Sequence, residues 1–303
     1  MSPVSEFLAS LAIGAVLARG VPFVASRFLE RRSRQQFVDY VRAHNRGGQI
    51  GGDVGLSVHR VLRQQERQCE ERSLGSLPRL GEKAPKCYES MGRVIALLDA
   101  YSSCSWQCSG GDHVLERLVG RAVNQARAAI RLSLMGFYDE ALVHVRGIGE
   151  TANLLSLFAA RRAALERWKS VDERTRRREF SPVAVRQELG EIGTPIQIDN
   201  ETYGELSHRN VHVNPSTSPQ AYDAIGVPKG AAYYQEAGLL VCENELATAL
   251  TFVVYAASQL ADLPDDLTHR MLTSGRDLIS NTGGISLTSL PQMWADLAGG
   301  AVS

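Results

Sequence analysis

From residue 87 onward, apolar residues return every three or four positions, the spacing that gathers them on one face of an α-helix. Met91, Val94, Ile95, Leu97 and Leu98 begin the pattern. Leu115, Leu118, Val119, Ala122, Val123, Ala126, Ala129 and Ile130 repeat it, with Arg117, Arg121, Gln125 and Arg131 mostly on the wet side. Gly110 and Gly111 separate the two runs, and Asp112 is placed to cap the second. Gly136 breaks that helix, and a longer one is expected from about Asp139 to about Lys169. Ser181 before Pro182 is a helix start, a capping hydroxyl followed by a residue whose missing N–H costs nothing in the first turn. Val183, Val185 and Leu189 supply its apolar contacts, and residues 193–195 end it. Asp199 or Asn200 opens a short helix that Pro215 stops, and residues 214–230, with three prolines among Ser, Thr and Gly, read as a loop. Residues 231–241 predict one small β-hairpin turning at Glu236, Ala237 and Gly238. Two further helices are expected over 243–261 and 265–279, the last ended by Asn281, Thr282, Gly283 and Gly284.

Ahead of this region the pattern is looser. Residues 5–43 read as one or two helices, the second rich in arginine and glutamine; residues 44–55 hold five glycines and read as a linker; residues 54–72 form a further helix. Residues 73–86 mix Gly, Pro and Ser without periodicity. The expected organisation is therefore an N-terminal helical extension with a Gly-rich linker (1–86), a helical bundle domain (87–282) and a C-terminal tail (283–303). The fold class is all-α.

One helix stands apart. At about 100° per residue, Ala141, Val145, Ile148, Ala152, Leu155 and Ala159 form one apolar stripe, and Val143, Leu154 and Leu157 form a second on nearly the opposite side. A helix apolar on both sides is buried on both sides. Arg146, Glu150 and Asn153 fall at i, i+4 and i+7 within the second face, so charge is expected in the interior, where it must pair.

Composition changes this picture little. The 303 residues carry 33 basic and 33 acidic side chains and 44% hydrophobic residues, which suits a buried core and excludes a strongly basic nucleic-acid binder or an acidic tail. Five cysteines without periodic spacing fit a reducing, cytoplasmic compartment better than a disulfide framework. The apolar run over residues 7–25 qualifies this. Glu6 and the absence of a preceding basic residue argue against a secretory signal, and Arg19 and Pro22 interrupt a membrane span. Arg27, Arg31, Arg32 and Arg34 nonetheless suit a cytoplasmic flank. Residues 7–25 are thus a candidate for membrane association, with the main domain on the cytoplasmic side of an inner membrane, or for self-association into a homo-oligomer.

Candidate chemistry gathers between Glu205 and Pro215. His208 and His212 lie four apart, and Glu205 with His208 has the spacing of a bundle metal site, but a di-metal bundle needs a second such pair and none is present. Cys104 and Cys108 could join Cys69 and Cys87 around zinc, yet structural sites show two tight pairs, so the cysteines read as small core residues and no metal is expected. The sequence has no H-E-x-x-H, P-loop or G-x-S-x-G motif. Arg209, Asn210 and His212 make a different constellation: an imidazole to move a proton and a guanidinium to stabilise a phosphate, the two services that cleavage of RNA by its own 2′-hydroxyl requires. The alternative is that these side chains merely tie a helix end to carbonyls, carboxylates and water. Residues 161–178, with eight basic and three acidic side chains around Trp168, form a local positive patch, either a solvated helix face or an RNA-backbone contact.

Two stretches together carry a resemblance. Residues 137–154, with Ala141, Arg146, Glu150, Asn153 and Leu154, resemble the A-R-E-N-L helix of a group of bacterial helical proteins. Tyr203, Leu206 and Ser207, followed by His212 and Pro215, are similar to that group's Y-x-x-L-S segment with its later histidine. These proteins look like relatives of the HEPN superfamily, helical bundles of toxin–antitoxin and antiphage defence systems, many of which cut RNA without metal. The resemblance spans about residues 88–280. It implies a bundle in which Arg146, Glu150, Tyr203, Ser207 and His212 line one pocket. The chain departs from the catalytic HEPN pattern, whose arginine and histidine lie further apart than Arg209 and His212, which have two residues between them. The resulting expectation is a metal-independent ribonuclease or RNA-binding effector. His212, Arg209, Arg146 and Glu150 are its candidate catalytic residues; Tyr203, Ser207, His208, Asn210 and Asn153 are candidates for substrate binding; no cofactor is called for. The alternative is a non-catalytic helical interaction protein, tethered or oligomeric through its N-terminal apolar helix.

Overall fold

A computed structural model describes residues 53–103, 111–210, 219–220, 222, 232–260 and 263–282, with the side chains of 53–57, 205 and 208–210 excepted. Ten α-helices occur among them. They are α1 (Asp53–Ser76), α2 (Lys83–Ser102), α3 (Val114–Leu134), α4 (Tyr138–Ala160), α5 (Arg162–Ser170), α6 (Glu173–Glu179), α7 (Pro182–Glu191), α8 (Asn200–Asn210), α9 (Glu236–Leu260) and α10 (Asp265–Ser280). A 3-10 turn at Leu77–Leu80 joins α1 to α2. The described residues contain no strand, and the protein is all-α.

The core forms where heptad-like stripes meet. Ala84, Cys87, Met91, Val94, Leu98 and Tyr101 run down α2 at alternating spacings of three and four, and all are buried. On α3 the buried stripe is Val119, Ala122, Val123, Ala126 and Ala129, and on α4 it includes Ala141, Val145, Ile148, Ala152 and Leu155. Small alanines on both let α3 and α4 approach closely. Helix α9 packs on α4, α10, α3 and α2, and α10 closes back on α2. It is long and apolar enough to cross a membrane by composition, but 67% of the relevant window is buried inside the protein.

Helix α4 is the element covered from two directions, by α3 and α9 on one side and by α7 and α8 on the other. The second apolar face is less uniform than its sequence suggests. Val143 is 39% exposed and only Leu154 and Leu157, further along, are covered, Leu157 completely, by Val185 and Leu189 of α7.

Three boundaries differ from the expected ones. The α4 helix stops at Ala160 instead of running to Lys169, because Arg161 turns extended and Arg162 then caps the far end of α9, donating to the carbonyls of Gln259 (2.8 Å) and Leu260 (2.5 Å). Open carbonyls at a helix C-terminus attract a cation, and this tertiary contact outweighs local helix continuity. The N-cap position of α3 falls on His113, in a left-handed conformation, while Asp112 accepts from the Val114 N–H at 3.2 Å. The third correction is the hairpin. Residues from Glu236 onward are helical, and Gly238, Leu239, Cys242 and Leu246 are buried on α9. The Gly238 backbone lies against the Tyr138 ring, where a Cβ has no room. The glycine that signalled a turn is there for close helix packing.

The chain between α8 and α9 is anchored at the start of α4. The Gln220 carboxamide oxygen accepts from the N–H groups of Tyr138 (2.7 Å) and Asp139 (3.3 Å), and the Asp139 carboxylate accepts from the Gln220 N–H and the Tyr222 hydroxyl, both at 2.8 Å. Gln235 donates from its backbone to the Tyr138 hydroxyl (2.7 Å) and from its side chain to the Gln220 carbonyl (2.6 Å). Gly136, at φ +82°, gives the passing backbone of Tyr233 room that any side chain would fill.

Candidate functional site

Arg146 and Glu150 lie one turn apart on α4, and their side chains meet at 3.1 Å. They are partly exposed at the side-chain level, 19% and 33%, so the expected interior charge is a half-buried pair at the edge of the core. One turn further, Asn153 is buried and occupied with backbone: it donates to the Ile198 carbonyl (2.9 Å) and accepts from the Gln197 N–H (2.8 Å). The segment before α8 is thereby laid across α4 at Gly149, where a side chain would collide with Gln197 and Ile198.

That placement sets the direction of α8. Asp199 accepts from the Thr202 N–H at 2.8 Å and caps the helix, and Tyr203 comes round one turn later onto Arg146. The Arg146 guanidinium lies 4.3 Å from the centre of the Tyr203 ring and also donates to its hydroxyl. On the same ring, again at 4.3 Å, rests a second guanidinium, that of Arg186 from α7. Ser207 is buried but turned back on its own helix, donating to the Tyr203 carbonyl at 2.6 Å.

Arg186 is the member that the hydrophobic pattern does not single out. It is 4% exposed, it donates to the Asn200 side-chain oxygen at 2.8 Å, and among the described residues it has no carboxylate partner within ion-pair distance. Burial pulls its guanidinium below the usual arginine range, partly offset by Tyr203 and Glu150. The Nε of Arg146 is likewise buried without a hydrogen-bond partner. Glu150 pairs with Arg146 and, together with Asp199, acts on Arg186 at longer range. Both Glu150 and Arg186 line a cleft of 250 Å³, with Leu118, Leu154, Phe180, Val185 and Arg121 also in its wall. A faint sequence signal for Arg186 existed in its place between Val185 and Leu189 on the buried face of α7.

The other sequence candidates divide clearly. Arg146, Glu150 and Tyr203 are brought together, and Asn153 and Ser207 lie beside them with their polar atoms spent on backbone. His208, Arg209 and Asn210 are in the last turn of α8, but their side chains fall outside the described residues, as does His212 altogether. The basic stretch is largely neutralised. Arg161 pairs with Glu188 (2.8 Å), Arg167 with Glu179 (3.0 Å), Lys169 with Asp112 (2.7 Å), and Arg176 and Arg177 with Glu173 (2.9 and 2.8 Å).

A second buried ionisable group lies elsewhere. Glu243 on α9 is 3% exposed, one of its carboxylate oxygens has no partner, and burial pushes its acid up to about 7 beside the Cys87 thiol. Cys69, Cys87 and Cys242 are free and buried, and Cys104 and Cys108 lie outside the described residues. Among the described residues no group of three or more His, Cys, Asp or Glu is placed to hold a metal ion. Compared with family models, curated proteins and solved structures, the chain gives no match.

Proposed function

We infer that this chain is a HEPN-like helical protein that holds an RNA phosphate at the Arg186 cleft, with His212 as the proton-transfer group of a metal-independent cleavage. The observation that carries the reading is the Arg186 guanidinium, buried, lacking a carboxylate partner among the described residues, and lining a cleft. A desolvated cation with no carboxylate in direct contact is costly, so an anion that reaches it gains a charge-assisted contact whose desolvation the fold has largely met already. Tyr203 and Asn200 hold that guanidinium in place, and Arg146, tied to Glu150, contacts the same ring. Further support comes from the segments that resemble HEPN proteins, since they supply Arg146, Glu150 and Tyr203. A setting in toxin–antitoxin or antiphage defence follows from that resemblance alone. Attack by a ribose 2′-hydroxyl needs a proton acceptor and a stabilised phosphate, and neither service demands a metal.

The test uses the full chain and end-labelled RNA in EDTA. Wild-type protein is expected to bind and cut, Arg186→Ala to lose about tenfold or more in affinity, the loss of about one charge-assisted contact, and His212→Ala to bind without cutting. Cutting by His212→Ala at the wild-type rate removes His212 from the mechanism, and absence of RNA binding by the wild type sinks the reading.

One observation favours a second reading, a non-catalytic helical interaction protein: the arginines of residues 161–178 are engaged with carboxylates and carbonyls of their own fold, which leaves little free positive surface there. Under it, His212→Ala lowers stability and there is no nuclease activity to lose.

A further inference from the structure

We propose that the Arg186 cleft is one part of a longer trough beside α3 that takes single-stranded RNA, with one unstacked base in the cleft and phosphates on Arg117 and Arg121. The proposal rests on the RNA-binding reading above and adds the form of RNA and the residues that track it.

Two further clefts adjoin the first. One, of 620 Å³, lies between α3 and α4 and is lined in part by Gln125 and His144; the other, of 550 Å³, is bordered by Trp168 and Lys169. Arg121 lines the first and second, Leu118 the first and third, and Arg117 the second and third, so the three are contiguous. Helix periodicity explains the arrangement, because Arg117 and Arg121 are one turn apart on the wet face of α3.

Two arginines here have no carboxylate in ion-pair contact, although Arg117 lies near enough to Asp112 to help hold that acid below its usual range. Arg121 is exposed and has neither ion pair nor hydrogen bond among the described residues, and Arg117 donates only to the backbone carbonyls of Asp112 and His113. Half-buried His144 also has no partner among the described residues, and the Gln125 side-chain oxygen near it is buried and unsatisfied. His144, partly exposed in the same cleft, offers a hydrogen bond to a ligand group such as a ribose hydroxyl.

The Arg186 cleft decides between strands. Its wall sets Leu118, Leu154, Phe180 and Val185 beside Arg121, Glu150 and Arg186, which suits a base against the apolar side chains with its phosphates on the arginines. A duplex keeps its bases stacked and paired, and presents backbone and shallow groove instead. An acidic peptide would meet the arginines but leave the apolar side chains uncovered.

The experiment is an anisotropy titration of the full chain with a short fluorescein-labelled single-stranded RNA over a range of salt, competed by unlabelled duplex RNA and by polyglutamate. Arg121→Ala is expected to weaken binding about tenfold. It should also flatten the slope of log affinity against log salt by about 0.7, the share of one phosphate on a single strand. Thermal melting shows whether each variant is folded, and photocrosslinking with thiouridine-substituted RNA, which needs no variant, should mark peptides of α3 and α7. Unchanged binding by Arg121→Ala with crosslinks elsewhere overturns the trough while leaving the RNA-binding reading intact. Competition by duplex or polyglutamate equal to that by single strand also overturns it. No RNA binding by the wild type removes both.

Discussion

Helix α4 carries two polar clusters, one at its first turn and one two turns further on, and they differ in how completely they are satisfied. At its first turn, Asp139, Gln220, Tyr222 and Gln235 close a network in which both carboxylate oxygens, both carboxamide oxygens and the Tyr138 hydroxyl have partners. Two turns on, Arg146 and Arg186 share Tyr203, only Arg146 has a carboxylate in contact, and the Arg146 Nε has no partner. A closed network contributes rigidity and has nothing left to offer a ligand. An unclosed one costs stability, and it retains affinity for whatever completes it. The first cluster is read as a structural knot, the second as a binding site, on this difference alone.

Breaking the knot should have the largest effect on the fold. Asp139→Ala removes the acceptor of the buried Gln220 N–H, and a loss of about 2 kcal/mol is expected for a buried donor left unpaired; urea denaturation measures it, and a loss below about 1 kcal/mol would mean that the loop is held by something else. Glu243 extends the comparison to a lone buried acid. Its folded value of about 7 lies above the ordinary 4.5, so the neutral form is the one the fold favours. Its stabilising contribution is complete below the unfolded value and is lost as pH rises through 7. Glu243→Gln should therefore remove that decline and leave the variant about 2 kcal/mol more stable than wild type at pH 8, read as a difference in melting between pH 5 and 8.

Arg186→Met reverses the pattern expected of the knot. Replacing a buried cation that has no carboxylate in contact with an apolar side chain should change stability by less than about 1 kcal/mol, in either direction, while RNA affinity falls. A large destabilisation without loss of binding would place Arg186 with the knot. The smallest effect belongs to Ser207→Ala, which deletes only a bond to its own helix and should shift stability by no more than about 0.5 kcal/mol and leave affinity unchanged.

The helical face of each long segment was legible because burial on one side imposes a three-and-four spacing that survives in the sequence. The pairing of Arg146 with Glu150 was legible for the same reason, being local to one helix. Arg186 was not, since it reaches Tyr203 from a helix whose own pattern says nothing about what faces it. Nor was the role of Gly238, because a glycine that admits a neighbouring ring and one that makes a turn look alike in one dimension. The expected pocket of Arg146, Glu150, Tyr203, Ser207 and His212 drew on resemblance; the described geometry brings Arg146 into contact with Glu150 and Tyr203, puts only Glu150 of the three in the cleft wall, and turns Ser207 inward onto its own helix.

By itself, then, the sequence determined the all-α class, most helix positions and the pairing of Arg146 with Glu150, because each depends on contacts a few residues apart. Tertiary structure decided where α4 ends, that residues 236–241 are helix, and that two arginines from different helices share one tyrosine. Those outcomes depend on groups far apart in the chain, where the free energy of packing and desolvation outweighs the small local preferences that a sequence pattern records.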